Sequence, residues 1–500
     1  MRRTAALLGL LGSLLPAAAL ARPDSKGSTD MWRYGAAEVV SSFPSPGGQF
    51  RIHYTAAGVD AVPAGDADGN GTPDYVEGVA ALYDQVLAFY LGLGFHGPPD
   101  DGTVPGNNGG DARFDVYLID FGGNADGHFQ REQCQGDVCE GYMLQENDFV
   151  GYPYDATSGN RILSSHEFFH AVQAGYSANQ STIVSEGTAV WATEAFDATL
   201  GDFESLITGY LDRPDRPLDK PLPGAVDPFS YGTAIYWEFL SERFDAGVIR
   251  ALWEGCVDGA GGVAQPDWFA VLPQILAARG TTFAEEFGTF ARWNLFTGAR
   301  ADAARGYHAA SGYPPVKMQV AGAAPYRDAT FRLFYASTQY VHIPVEGRAQ
   351  MTAFVGGVTP ATPVRLSLVA RTGARLGPFV DVPLGAAGAP PAVDTSGADE
   401  LIVLAVNTAT SGDSEKGTLC AGAPDEVAPC LPMPATADMA STAPALGAVD
   451  SSGGGGCALA GRAAASGGGA AGLAGLAGLA LLLLLGRRRH GLHTGTTGVR

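Results

Sequence analysis

Apolar positions along the chain fall into three regimes. Between 49 and 146 short runs surround one long helical repeat: 49–55 alternates like a strand, 75–93 recurs at helical spacing, and 113–121 is an apolar strand with charged margins. The run 141–146, with Tyr142 and Leu144, reads as a further strand at the edge of the sheet. From 162 onward helical spacing dominates, over 162–176, 182–200, 231–244, 248–253, 268–279 and 283–296. Past Tyr313 the period changes to two. The segments 331–344, 349–355, 364–371, 379–384 and 400–407 alternate between Gly/Pro turns, which is the pattern of a β-sandwich. The expectation is an α+β domain over 22–314, with a small sheet followed by a helical lobe, and a β-sandwich over 315–430.

Both ends depart from this globular patterning. Arg2 and Arg3 precede an apolar run over 5–15 and an A-x-A site at Ala19-Leu20-Ala21, so 1–21 reads as a signal peptide with Arg22 as the first mature residue. At the other end, 431–469 is rich in Pro, Ala, Ser and Gly and reads as a linker without core-forming capacity. The apolar stretch 470–485 and the cluster Arg487-Arg488-Arg489 then predict a membrane helix with a cytoplasmic stop over 470–489. The chain is therefore expected to be exported, at the outer cell surface or secreted, with the tail as its membrane contact. A formal net charge of -21 over 500 residues argues against nucleic acid as a partner. In an oxidising setting Cys134 and Cys139 bracket a Gly-Asp turn and Cys420 and Cys430 flank a Pro-containing loop, so each pair is positioned for a local disulfide. Cys256 has no evident neighbour, and Cys457 belongs to the tail.

The strongest chemical signal is His166-Glu167-Phe168-Phe169-His170, an H-E-x-x-H inside the helical pattern 162–176. Histidines four apart on a helix share a face, so both imidazoles reach one metal ion. Glu167 lies at the edge of that face, where a carboxylate can take a proton from water. The alternative, a solvated surface helix, conflicts with Phe168, Phe169 and Val172 on the same segment. Catalytic zinc needs three protein ligands and an open position. Metzincin spacing is excluded, because the places three and six residues past the second histidine hold Gln173 and Tyr176. Glu186, expected in the first turn of the next helix, is the preferred third ligand, with Glu194 as the alternative two turns on.

Together the H-E-x-x-H and the Glu186-Gly187-Thr188-Ala189 segment resemble the gluzincin arrangement, in which a glutamate from E-G-x-A on the following helix completes the zinc site. The resemblance covers roughly 161–244 and implies a zincin-like fold, peptide-bond hydrolysis, and an edge strand that pairs with extended substrate. Thermolysin-like members carry an aspartate four residues past the ligand glutamate; this chain has Val190 there, so a different residue must support the metal histidines. In the aminopeptidase branch a downstream tyrosine stabilises the oxyanion, and Tyr231 in Ser230-Tyr231-Gly232 falls at a comparable distance. Tyr231 also fits a helix cap with its ring packed inward, and His308 is a second candidate for polarising the carbonyl. The tail resembles the sorting tail of myxobacterial surface proteins, in which a glycine-flanked cysteine, a membrane helix and an arginine cluster occur together. That resemblance implies cleavage near Cys457, although Ala458 stands where serine is common.

A second metal motif spans 66–77. Oxygen donors at Asp66, Asp68, Asn70, Asp74 and Glu77, the Thr72 carbonyl, and glycine at the sixth position match an EF-hand calcium loop, without a helix before it. Two functional readings follow: a zinc peptidase acting on protein or peptide substrate, with calcium as a structural ion, or a calcium-binding surface adhesin or pseudopeptidase without activity. No G-x-S-x-G occurs in the chain, which argues against a serine esterase.

Overall fold

The structure is a computed structural model that describes residues 22–28, 31–102, 104, 106–223, 227–385 and 389–430. The expected leader, most of the linker and the C-terminal tail lie outside the described residues. Among the described residues no helix is long and apolar enough to cross a membrane. The fold is mixed α+β, and the chain forms two compact units that change over between Val316 and Lys317.

The first unit is built on a five-stranded sheet. Its strands are β1 (Val40–Pro44), β2 (Phe50–Thr55), β3 (Phe114–Ile119), β4 (Gly127–Gln135) and β5 (Val138–Glu146), in the order β1-β2-β3-β5-β4. The central β2, β3 and β5 run parallel, while β1 and β4 pair antiparallel at the two edges. All six residues of β3 are buried, as a strand covered on both faces requires. The segment 141–146 is therefore not the edge: it lies in β5, between β3 and β4. The edge strand on this side is β4, with the sequence GHFQREQCQ, and it is mostly half-buried on both faces. An edge strand of this kind carries no alternating signal to read. A Cys134–Cys139 disulfide closes the β4–β5 hairpin, whose turn places Gly136 at φ 65°.

Three long helices pack with this sheet: α1 (Asp74–Gly92), α2 (Ala156–Ala174) and α3 (Thr182–Phe196). Helix α2 starts at Ala156 rather than 162, because Asp155 caps it by accepting the Ser158 N–H and its polar first turns carry no apolar period. Phe168 anchors α2 through edge-to-face contacts with Phe50, Phe114 and Tyr83, at ring separations of 5.2, 5.3 and 5.8 Å. Because α2 is buried nearly all round, its polar residues take internal partners. Asn160 accepts from Gln145 Nε2 at 2.6 Å and from the Tyr75 hydroxyl at 3.2 Å, and Ser165 meets Thr193 at 3.1 Å.

Helices fill the rest of this unit, including Gly247–Gly255, Trp268–Ala277 and Phe283–Trp293. The helix expected over 231–244 is two, Pro228–Gly232 and Ala234–Arg243, meeting at Thr233. The Thr233 hydroxyl bonds the Ser230 and Ile183 carbonyls, and a Cβ at Gly232 would lie 2.2 Å from the Tyr210 nitrogen. The break brings the first short helix against the backbone of its neighbour.

In the second unit the expected alternating runs form two sheets. One contains the expected Gln350–Gly356, paired with Thr418–Gly422, a strand not among the expected runs; the other contains Val364–Thr372, Glu400–Asn407 and Ser337–Pro344. Both contribute to one core, with Met351, Ala353 and Leu419 from the first and Val341, Leu366 and Val403 from the second. The single run expected over 331–344 is broken at Ala336, whose φ is 43°. Cys420 is in a disulfide, while the side chain of Cys430, its expected partner, is outside the described residues. Cys256 is free and buried.

Phe168→Ala should remove the aromatic anchor of α2 and lower stability by about 3–5 kcal/mol. A denaturant midpoint unchanged from that of the parent chain would contradict this packing role.

Candidate metal centre

Helical spacing stacks His166 and His170 one turn apart on α2, with ring centroids 5.0 Å apart. Glu186 comes to them from α3. Its Oε2 lies 3.3 Å from His166 Nε2 and 3.4 Å from His170 Nε2, so one carboxylate oxygen faces both imidazoles. Their donor atoms lie within 4.8 Å of one another, close enough to hold one metal ion. Glu186 is the fifth residue of α3 rather than part of its first turn, so a helix-dipole role does not account for it. Gly187 sets how closely α3 packs on its other side: a Cβ there would meet Thr233 Oγ1 at 2.3 Å and Trp237 Nε1 at 2.6 Å, forcing α3 away from the helix Ala234–Arg243.

The electrostatics are those of a buried, mutually compensating cluster. His166, Glu167 and Glu186 are each at most 6% exposed. Burial alone raises the Glu186 carboxyl, but His170 and His166 outweigh it and hold it down at about 2. Burial likewise lowers His170, yet Glu186 beside it raises the imidazole to about 9. The His170 Nε2 atom is buried and has Glu186 Oε2, at 3.4 Å, as its polar neighbour, so it faces the same point as His166 Nε2. Two nitrogens and one carboxylate oxygen converging there fit a transition-metal ion.

Glu167 lies beside this cluster, with Oε1 4.0 Å from His166 Nε2. Burial raises its carboxyl, His170 and His166 partly offset that, and the Phe129 backbone N–H on edge strand β4 bonds it. Tyr231 stacks on His166 with ring centroids 6.0 Å apart, and its hydroxyl bonds Glu186. The residue thus joins the cluster and is also packed inward, at 4% exposure.

Glu194 and His308 do not join. An advance of eight residues turns about 80° past a whole number of helical turns, so Glu194 leaves the face that carries Glu186. It sits among Glu204, Glu238 and Asp202, where burial and those carboxylates push it up to about 8. His308 is exposed and pairs with Glu242 at 3.1 Å.

The residue that orients the second histidine was not legible in advance. Gln173 Oε1 lies 2.8 Å from His170 Nδ1, while its Nε2 donates to the Ser185 carbonyl and Thr188 Oγ1 at 2.8 and 2.9 Å. It occupies the position three residues past the second histidine. The one available signal was a polar residue on the buried side of α2. Asp126, bonded by the Tyr154 hydroxyl, adds a further buried carboxylate near His166 and Glu167.

No family model matches the chain, and no curated protein matches it.

The loop 66–77 gathers its own donors. Asp66, Asp68 and Asp74 bring carboxylate oxygens within 4.8 Å of one another, all exposed. Asp66 accepts the backbone N–H groups of Gly69, Asn70 and Gly71, with Gly69 and Gly71 at φ 72° and 90°. Glu77 is linked through the Asn70 amide at 2.7 Å, and the Thr72 N–H donates to Asn70 Oδ1. Asp74 and Glu77 belong to the first turn of α1, so the loop is continuous with the helix that carries Tyr75, Tyr83 and Tyr90 toward α2.

Gln173→Leu should weaken metal binding at His166, His170 and Glu186 by about 10–100-fold, since His170 loses its orienting acceptor. Competition against a chelator of known affinity measures this, and unchanged affinity would remove Gln173 from the support of the site.

Proposed function

We propose that the chain is a zinc-dependent peptide hydrolase of gluzincin type, with a zincin-like first unit. The observation that carries this reading is Glu186 facing both H-E-x-x-H imidazoles, with the Glu167 carboxylate beside them. An antiparallel edge strand bounding a largely parallel sheet next to α2 supports the same architecture. Export to an oxidising compartment and retention at the outer surface through the C-terminal tail complete the proposal; the Cys134–Cys139 disulfide supports that setting.

His166, His170 and Glu186 would hold the ion. Zinc, when bound, supplies Lewis acidity toward water and the scissile carbonyl. Glu167 acts as general base, taking a proton from the attacking water and handing it to the leaving amine. Tyr231, its hydroxyl already at Glu186, donates toward the developing oxyanion. Gln173 fixes the His170 ring, and burial excludes bulk water from the reacting groups.

The loop Asp66, Asp68, Asn70, Thr72, Asp74 and Glu77 is proposed to bind calcium, because hard oxygen donors on a tight glycine-containing turn suit that ion. The same loop favours the second reading, a calcium-binding surface adhesin without catalysis. Metal analysis and turnover separate the two.

Glu167→Gln should keep one equivalent of zinc and lose more than about 100-fold in hydrolysis of a denatured protein, with chelation abolishing the parent activity. Full activity in this variant would overturn the mechanism, and absence of zinc from the parent would favour the adhesin. Tyr231→Phe should lower kcat by less than Glu167→Gln does, and an unchanged kcat removes Tyr231 from the reaction.

Calcium at about 100 times its dissociation constant should add about 2.7 kcal/mol of stability. The rise in Tm should vanish in the double variant Asp66→Asn, Asp68→Asn. A Tm insensitive to calcium in the parent chain makes 66–77 a turn only.

A further inference from the structure

Arg22 is 1% exposed, an unusual state for an arginine, and three acidic side chains surround its guanidinium. Nη2 lies 2.6 Å from Asp101 and 2.5 Å from Glu132, Nε lies 2.9 Å from Glu132, and Nη1 bonds Asp115. Asp115 is on β3 and Glu132 on edge strand β4, while the guanidinium also lies 5.3 Å from the Tyr142 ring centroid on β5. Through its other oxygen Asp115 holds His53 of β2 at 2.6 Å. One side chain thus connects the four strands next to α2.

The network has too little positive charge. Three carboxylates against one guanidinium leave a formal charge of -3 + 1 = -2 in a buried place. Burial pushes Asp101 and Asp115 up to about 7 even with Arg22 beside them. The Asp101 and Asp115 carboxyls also lie against each other, and Asp101 Oδ1 is buried with no donor facing it. The Arg22 backbone N–H makes no hydrogen bond among the described residues, while the next turn is fixed by Ser25 N–H on the Arg22 carbonyl and Asn107 on Asp24. An unmatched donor and an unmatched acceptor therefore belong to residues of one ion-paired cluster.

We propose that the peptide bond before Arg22 is hydrolysed in the working protein, and that the α-ammonium released on Arg22 is the missing cation of this network. A leader-cleaving peptidase adds water across the bond: the hydroxyl goes to the carbonyl carbon of Ala21, a proton goes to the Arg22 nitrogen, and the products ionise to carboxylate and ammonium. The formal charge of the network falls to -2 + 1 = -1. The A-x-A pattern ending at Ala21 puts the cut at the same bond from sequence alone. Maturation thereby latches β2, β3, β4 and β5 beside the metal cluster.

The test uses the full chain kept unprocessed, with the cutting sequence of a site-specific protease inserted before Arg22. In one form the protease leaves Arg22 as the first residue, and in the other it leaves Gly-Ser before Arg22. Tm is read with a chelator present, so the result is independent of hydrolase activity. The authentic terminus should melt about 4 °C or more above both the uncut chain and the Gly-Ser form. Asp101→Asn should reduce the difference between the two cut forms to under about 1 °C. Equal Tm for the two cut forms overturns the proposal, whether or not cutting itself stabilises the chain.

Discussion

The burial of α2 on nearly every side is the constraint from which the rest of the first unit follows. A helix that crosses the inside of a domain while carrying Asn160, Ser164, Ser165, His166, Glu167 and Gln173 leaves no polar group free to turn to water. Ser164 turns back on the Arg161 carbonyl of α2 itself, while others are partnered from neighbouring elements: Asn160 by Gln145 on β5, Ser165 by Thr193 and Gln173 by Thr188 on α3. The same requirement places Glu186 against the buried His166 and half-buried His170 imidazoles. Charges that would be expensive alone become tolerable together, which explains why the Glu186 carboxyl is held low while His170 is pushed up.

Close backbone approach is the second condition. Gly187 admits Thr233 and Trp237, and Gly232 admits the backbone of Tyr210, so the segment bearing Glu186 lies close against the one that follows Tyr231, which in turn lies close against its own neighbour. The tyrosine ring then stacks on His166 while its hydroxyl reaches Glu186, which makes one residue both packing and polar partner. Small residues thus set the distances on which ligand geometry depends.

What the sequence disclosed follows the range of each interaction. His166, Glu167 and His170 were legible because their relation is local, fixed by the helical repeat. Glu186 needed the resemblance to a known arrangement, since nothing in its neighbours states which helix it faces. Gln173 and Asp126 were not legible, because their partners come from other elements. Glu194 looked eligible when turns were counted in whole numbers; the extra fraction of a turn carries it to another face. Strand β4 escaped notice because half-buried edge residues have no obligation to alternate, and the break at Thr233 is imposed by contacts with Ile183 and Tyr210 that no local pattern records. In the second unit the long strands Ser337–Pro344, Gln350–Gly356, Val364–Thr372 and Glu400–Asn407 were legible, as period-two burial against one core is a local property, whereas Thr418–Gly422, Tyr326–Asp328 and Ser414–Lys416 were not.

The hairpin that bears the edge also limits it. β4 pairs regularly with β5 from Gly127 to Arg131, then a register shift intervenes before the Cys134–Cys139 crosslink. A peptide laid along the outer side of this strand would meet an undistorted ladder for about 16 Å, the length of about five extended residues. Beyond that point the bulge turns the backbone and re-aims its donors and acceptors. The footprint available to an extended partner is therefore set by the hairpin's own geometry, and lengthening the partner past it gains no main-chain pairing.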